Sequence, residues 1–294
     1  MFHDLGHSVE CSQHYGGTIC DLLVAMHADQ TSEAVVQFHK RHPDKRIILV
    51  LTGTDVYRDG ADPAKAHEAM RIADRLVTFQ PLAVDAVPEE FRPKVRMIYQ
   101  SAEPTLVKDP PERNSFVISV IGHLHHIKDP LRPAWAARQL PTDSRIRIVH
   151  AGDANGAGLV TQAREEALRN PRYRYIGSIP RWKVRRLIAS SHLLVLSSLV
   201  ESGPNVVSEA IVDYVPILAT KIPGNVGLLG EEFPGYYTPG DTDALANLLA
   251  RAENDRYFYQ ELKTSCALLA RLFRPEREQG SWEKLIKEIS KPKK

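Results

Sequence analysis

The sequence predicts two α/β domains, each a parallel β-sheet wound with helices on both faces. Three observations carry that prediction. Short apolar runs alternate with amphipathic stretches along the chain, the pattern of buried parallel strands joined by crossover helices. The 294 residues suffice for two domains at roughly 150 residues each. A proline-rich polar segment interrupts the rhythm near the middle, as interdomain linkers do.

The strands are expected at 21–26 (DLLVAM), 47–51 (IILVL), 76–79 and 95–99, with helical spacing at 32–42 and 64–71 between them. After Ser115 the pattern restarts with strands at 116–121 (FVISVI), 146–149, 193–196 (LLVL) and 217–219. Helices fill the gaps near 130–140, 159–169, 182–189, 206–212 and 243–252. Residues 275–289 read as a last helix with Trp282, Leu285, Ile286 and Ile289 on one face. The break at 102–114 (AEPTLVKDPPERN) divides the chain into a first domain at 1–112, a second at 113–274 and a terminal helix and tail at 275–294. Open α/β sheets bind ligands beyond their strand C-termini, so a cleft with a nucleotide on one side is the first functional expectation.

Composition removes several classes. Hydrophobic residues at 43% and charged residues at 25% match folded proteins rather than disordered or collagen-like chains. A net charge of +2 gives no electrostatic footprint for nucleic acid, and the basic ending KPKK reads as a solvated tail. No apolar run reaches the ~18–20 residues of a membrane span. MFHDLGHSVE has neither the basic start nor the apolar centre of a signal peptide. Three cysteines (Cys11, Cys20, Cys266) without a CxxC argue against a disulfide framework or a zinc site, and a cytoplasmic location is expected. Oligomeric state is not legible.

The chemistry concentrates at 193–212, LLVLSSLVESGPNVVSEAIV. A buried strand ends at Ser197-Ser198, and a helix is expected from Pro204-Asn205 with Ser202 as its N-cap. Gly203 is expected to let a ligand approach the backbone. The open N–H groups of Gly203, Asn205 and Val206 would then face a phosphate or diphosphate. Glu209, about one turn inside the helix, suits a ribose diol, and Glu201 suits the group attached to the diphosphate. The plainer alternative makes Glu201 a solvated loop residue and Glu209 a helix stabiliser.

ESGPNVVSE after a buried strand resembles the E-x7-E signature of the retaining GT-B glycosyltransferases of family 4, and the resemblance covers essentially everything after Ser115. It implies the GT-B fold, two Rossmann-like domains facing across a cleft, with a UDP-sugar as donor. FVISVIGHLHHIKDP is similar to that family's strand, glycine turn and later lysine, which implies that Gly122 approaches the donor and Lys128 pairs with its diphosphate. His123 stands where the family often has arginine, and it would donate a hydrogen bond or carry charge there. The resemblance also implies base binding at Ile179 and Pro180, and Gly152 bordering the cleft. The terminal helix resembles the one that crosses back onto the family's first domain.

The first domain decides the acceptor. In 51–59, LTGTDVYRD, a buried strand ends in Thr52, Gly53, Thr54 and Asp55, with Arg58 following, a set suited to a small phosphate-like anion. A capped helix start, with Asp55 as cap and Arg58 exposed, is the alternative. LTGTDVYRD, ADRLVTFQPLA, IYQSAEP, GHLHHIKDPLR and IPGNVGLLGEEFPGYY resemble the selenosugar synthases of selenoneine biosynthesis. That resemblance implies transfer from a UDP-sugar, typically UDP-N-acetylglucosamine, to selenophosphate, with Lys128, Glu201 and Arg58 in the catalytic machinery. No metal or cofactor is expected. Asp241-Thr242-Asp243 reads as a helix cap, and His123, His125 and His126 as loop histidines.

The rival readings are a family 4 enzyme acting on an alcohol or lipid, a UDP-sugar epimerase, and a non-catalytic nucleotide-sugar-binding protein. The first domain shows no clear pair of acid–base carboxylates for an epimerase. It also shows no basic amphipathic helix for a membrane surface. Residues 4–9 (DLGHSV) resemble the end of the family's first helix and the start of its second strand. The expectation is therefore a first domain lacking its N-terminal strand, with two unpaired sheet edges.

Overall fold

The structure, a computed structural model, describes residues 1–57, 63–106, 109–110, 113–154 and 157–290. The chain divides into two compact units, one formed by Met1–Ser101, Glu201–Gly203 and Arg274–Lys294, the other by Ala102–Val200 and Pro204–Phe273.

Among the described residues, the first unit holds four parallel strands in consecutive order: β1 (Leu22–Met26), β2 (Arg46–Val50), β3 (Arg75–Thr78) and β4 (Val95–Met97). Alternation along β2 sorts its side chains onto two faces. Ile47, Leu49 and Leu51 join Val35 and Phe38 of α1 (Ser32–Arg41) and Ala66, Ala69 and Met70 of α3 (Pro63–Ile72). Ile48 and Val50 face the other way, against Trp282, Leu285 and Ile289 of the last helix, α12 (Pro275–Ile289). Ile286, expected on that apolar face, is only half-buried. Glu288 ties the helix down: it accepts from Arg75 Nε at 2.9 Å and Arg96 Nε at 3.0 Å, and these partners hold its carboxyl down at about 2. At the other end Glu278 accepts from Ser101 N–H and hydroxyl at 2.7 and 2.6 Å.

The sheet's edges are β1 and β4. Residues 4–9, expected as a helix end running into a strand, are a turn followed by irregular chain. Just before them, Phe2 packs edge-on against Trp282.

The second unit carries six parallel strands in the order β10-β9-β8-β5-β6-β7. These are β5 (Phe116–Ile121), β6 (Ile146–Ala151), β7 (Tyr173–Tyr175), β8 (Leu193–Leu196), β9 (Ile217–Thr220) and β10 (Tyr236–Tyr237). From β5 the chain winds outward to β7, then returns to β8 on the other side of β5 and winds outward again. The strand order reverses between β5 and β8, and open sheets bind ligands beyond the strand C-termini at such a switch point. The strand-to-helix turn after β8 and the glycine turn after β5 sit there.

Helices α5 (Arg132–Arg138), α6 (Ala157–Arg169), α7 (Arg181–Ala189), α8 (Asn205–Val212) and α10 (Thr242–Asn254) fall where periodicity places them. Two others, α9 (Pro223–Leu229) and α11 (Arg256–Leu269), do not follow from the sequence reading. Asp255 alone separates α10 from α11 and caps the latter, accepting from Tyr257 and Phe258 N–H at 2.9 and 3.1 Å, so no glycine or proline marks the junction. Short helices α2 (Thr54–Tyr57) and α4 (Ala83–Ala86) complete the first unit. The change of unit falls at Ser101–Ala102, earlier than the sequence boundary at 112, because Thr105 N–H and hydroxyl bind Asp213 at 2.8 and 2.6 Å. Residues 111–112 of the expected boundary lie outside the described residues.

Candidate functional site

In the second unit, the turn after β5 is built on glycine. Gly122 N–H binds the Ala151 carbonyl at 3.0 Å, and a Cβ on Gly152 would sit 1.8 Å from the Gly122 oxygen. Gly152 is thus required by backbone packing, and its carbonyl accepts from Tyr175 O–H at 2.9 Å. His150 sits beneath, fully buried. Its Nε2 lies 3.0 Å from the Gly122 carbonyl, which only accepts, so Nε2 carries the proton. Nδ1 therefore accepts from Tyr173 O–H at 2.8 Å. Burial pushes the imidazole down to about 4, so it is neutral at ordinary pH. Sequence reasoning missed His150; a histidine inside an apolar strand was the available signal.

His123, exposed beyond the glycine, accepts from Asp153 N–H through Nδ1 at 3.3 Å. That leaves Nε2 as its donor. Next, His125 caps the turn that ends at Lys128, accepting from Ile127 N–H at 3.3 Å. Ser197 at the end of β8 donates to the Lys128 and Asp129 carbonyls at 3.0 and 2.8 Å, and Leu199 N–H to the Ile127 carbonyl at 2.7 Å. The lysine loop is thereby fastened to the switch-point strand, with the Lys128 side chain half-buried. Asp241 accepts from Ala244 N–H at 2.8 Å, the helix cap expected of it. Among the described residues, no group of three or more His, Cys, Asp or Glu is placed to hold a metal ion.

One expectation at the head of α8 needs correction. Pro204, not Ser202, is the N-cap residue, and the Ser202 hydroxyl is buried with no hydrogen-bond partner among the described residues. Gly203 has φ +145°, and a Cβ there would stand 2.7 Å from Phe79 Cβ, so close packing already demands glycine at this position. Asn205 and Val206 open the helix, where N–H groups have no intrahelical acceptor. Glu209 is buried within α8, and burial pushes its carboxyl up while Arg185 and Arg181 pull it back. Ile179 and Pro180 lead directly into α7, whose first residue, Arg181, reaches Glu209 Oε1 at 3.2 Å. Base-loop and ribose candidates are thus neighbours within one unit.

In the first unit, Asp55 is engaged within the protein. Its carboxylate accepts from Gly53 N–H at 2.7 Å, Thr52 N–H at 2.9 Å, Thr52 hydroxyl at 3.3 Å and Ala28 N–H at 2.9 Å. It clamps the loops after β1 and β2 together, and the two N–H groups expected to cradle an anion are already taken. The Thr54 side chain and Arg58 lie outside the described residues. Tyr57, unpredicted, accepts from Gln80 Nε2 at 2.8 Å, and the Gln80 carbonyl oxygen is held by Leu82 N–H at 2.7 Å. Ser202 packs by Gly53, its Cβ 3.8 Å from a Cβ built there, so the loop after β2 and the Glu201–Gly203 segment share this unit. Glu201 is half-buried.

The family profile described as glycosyl transferases group 1 matches residues 104–267, more than half of the chain. Among curated proteins, an Escherichia coli enzyme, UDP-Gal:alpha-D-GlcNAc-diphosphoundecaprenol alpha-1,3-galactosyltransferase, is 30% identical over 153 residues, 49% of this chain and 38% of that one. TuaC of Bacillus subtilis, a putative teichuronic acid biosynthesis glycosyltransferase, is 31% identical over 86 residues, 29% of this chain and 22% of its own. The chain thus spans well under half the length of the curated relatives it matches. Among solved structures, Anabaena HepE in complex with UDP and glucose superposes with a TM-score of 0.73 at 18% identity, covering 92% of this chain and 78% of that one. Sucrose-phosphate synthase from Thermosynechococcus elongatus superposes with a TM-score of 0.76 at 17% identity, covering 92% and 73%.

Proposed function

The chain belongs to the group 1 glycosyl transferases, and on that premise we propose that it transfers the sugar of a UDP-sugar to a small anionic acceptor. Its fold is GT-B, with a parallel sheet in each of two Rossmann-like domains. The observation that carries the reading is Glu209, a buried carboxylate in α8 beside the base loop and behind the helix's open N–H groups. On this reading Glu209 takes the ribose hydroxyls, while Asn205, Val206 and Lys128 meet the diphosphate and stabilise UDP as it leaves. Glu201 orients the sugar, and no metal is needed. HepE, whose structure holds UDP and glucose, and the UDP-Gal-dependent relative support a uridine donor.

The finer proposal is UDP-N-acetylglucosamine as donor and selenophosphate as acceptor, at work in the cytoplasm. It is supported by the five motifs that resemble selenosugar synthases, spread over both units. Selenium attacks the anomeric carbon, a C–Se bond forms, the bond to the diphosphate oxygen breaks, and UDP departs. Water then cleaves the Se–P bond and releases phosphate. Selenophosphate is already anionic and nucleophilic, so no general base is assigned. With the Thr52 and Gly53 N–H groups bound to Asp55, charge recognition falls to Arg58, and Tyr57 is the nearest further hydroxyl in sequence. Incubation with both substrates, followed by mass spectrometry, should yield UDP and a selenium-containing sugar. Transfer to an alcohol or a lipid instead, with no selenosugar, would replace the acceptor assignment.

A further inference from the structure

Helices α7 and α8 of the second unit are joined by a ladder of two ion pairs. Arg181 and Arg185 stand one turn apart on α7, and Glu209 and Asp213 one turn apart on α8 and its C-cap. The lower rung is closed. Arg185 Nη2 meets Asp213 Oδ2 at 2.8 Å, the arginine side chain is 13% exposed and the aspartate is buried, and Asp213 also accepts from the Thr105 N–H and hydroxyl. The upper rung is open. Arg181 is 76% exposed at its side chain, and its Nη2 reaches Glu209 Oε1 at 3.2 Å while Glu209 itself is buried. Among the described residues this is the one hydrogen bond of the Glu209 carboxylate, which has room for further donors.

The same residue types at the same spacing thus serve two ends. The lower rung locks two helices. The upper one contributes little to folding, because its arginine is solvated. We propose that Arg181 is a positioning residue that keeps Glu209 ionised and aimed, so that its carboxylate accepts both hydroxyls of a ribose. The site then prefers a ribonucleoside diphosphate to its 2′-deoxy counterpart. This rests on the donor reading above.

The chemistry follows from what faces the carboxylate. Burial drives Glu209 toward its protonated form; Arg185 and Arg181 from α7 oppose that, and Asp213 at the end of its own helix reinforces it. Helix α11 and the turn Ala270–Phe273 also pack on α8. Their buried side chains are Phe258, Leu262, Cys266 and Phe273, of which only Cys266 titrates, and burial pushes its thiol up to about 12. A protonated Glu209 would itself be a donor and would lose acceptor capacity for two ribose hydroxyls. Removing Arg181 takes away one of the two charges that hold the proton off, so the variant protonates at higher pH than the parent.

Calorimetry on the full chain with UDP and 2′-deoxy-UDP, at about pH 8 and about pH 5.5, tests this. The unmodified chain should prefer UDP. Arg181→Ala should weaken UDP binding by about tenfold at the lower pH and clearly less at the higher one, and should shrink the preference over 2′-deoxy-UDP. Arg181→Lys should restore much of the loss. In a Glu209→Gln background, Arg181→Ala should have no further effect. Loss of UDP affinity in Glu209→Gln but none in Arg181→Ala at either pH overturns the inference and leaves the donor site standing. So does an equal loss for both nucleotides that persists in the Gln background, since arginine would then touch the ligand directly. If the unmodified chain does not bind UDP, or Glu209→Gln binds it unchanged, the donor reading falls and this inference with it.

Discussion

Asp55 and Glu209 are both buried carboxylates, 4% and 6% exposed, each in the helix that follows a parallel strand in its own unit. Their partners differ. Asp55 accepts four hydrogen bonds, three from backbone N–H groups of two loops, and has nothing left to offer a ligand. Among the described residues, Glu209 has one hydrogen bond, from an exposed arginine, and burial works against its charge. A saturated buried carboxylate is part of the scaffold. An unsaturated one costs stability and keeps acceptor capacity for a further donor.

The largest effect should come from the saturated member. Asp55→Ala strands N–H groups of Ala28, Thr52 and Gly53, and should destabilise the first unit by about 3 kcal/mol or more in urea unfolding. A shift below 1 kcal/mol would show that water replaces the carboxylate and would break the contrast. His150 is a second saturated group, with both ring nitrogens engaged. Its folded-state pKa of about 4 lies below the unfolded value near 6.5, so the unfolded chain binds the extra proton between them. Stability should therefore fall as pH drops from about 6.5 to about 4, by up to roughly 3 kcal/mol, and His150→Gln should flatten that slope.

Glu209→Gln should behave in the opposite way to Asp55→Ala. Stability should stay within about 1 kcal/mol, because a charge is relieved of burial, while UDP affinity falls about tenfold or more by calorimetry. Equal losses of stability and affinity would make Glu209 another scaffold residue. The smallest effect is expected at Ser202, whose hydroxyl is buried without a partner among the described residues. Ser202→Ala should be neutral or stabilising by up to about 1 kcal/mol in the free protein, and should weaken UDP-sugar binding if that hydroxyl serves the donor.

Much of the fold was legible because its signals are local. The runs IILVL, FVISVI and LLVL became β2, β5 and β8 within a residue or two, and 275–289 became α12. The helix at α11 escaped because the junction at Asp255 has no breaker residue. Around the candidate site, the sequence placed the turn after β8 and Glu209 inside the helix that follows, but took Ser202 for the cap that is Pro204. Ser, Gly and Pro in a row suit a capped helix start by propensity. What decided their roles was Phe79, more than a hundred residues away in sequence, standing where a Cβ on Gly203 would go.

By itself, the sequence determined the order of strands and helices, the α/β class and the strand-turn-helix that carries Glu201 and Glu209. Those follow from periodicity, cap residues and glycine, which act over a few residues. Only the tertiary structure decided that Asp55 is spent on Ala28, Thr52 and Gly53, and that His150 holds Gly122 against Tyr173. Arg181 likewise stands guard over Glu209 only in the fold. The pairings of Asp55 with Ala28, of His150 with Gly122 and Tyr173, and of Glu209 with Arg181 join partners that the chain separates by 23 to 28 positions. Whether a buried polar group is scaffold or site depends on how many partners reach it, and that is settled by packing rather than by residue type.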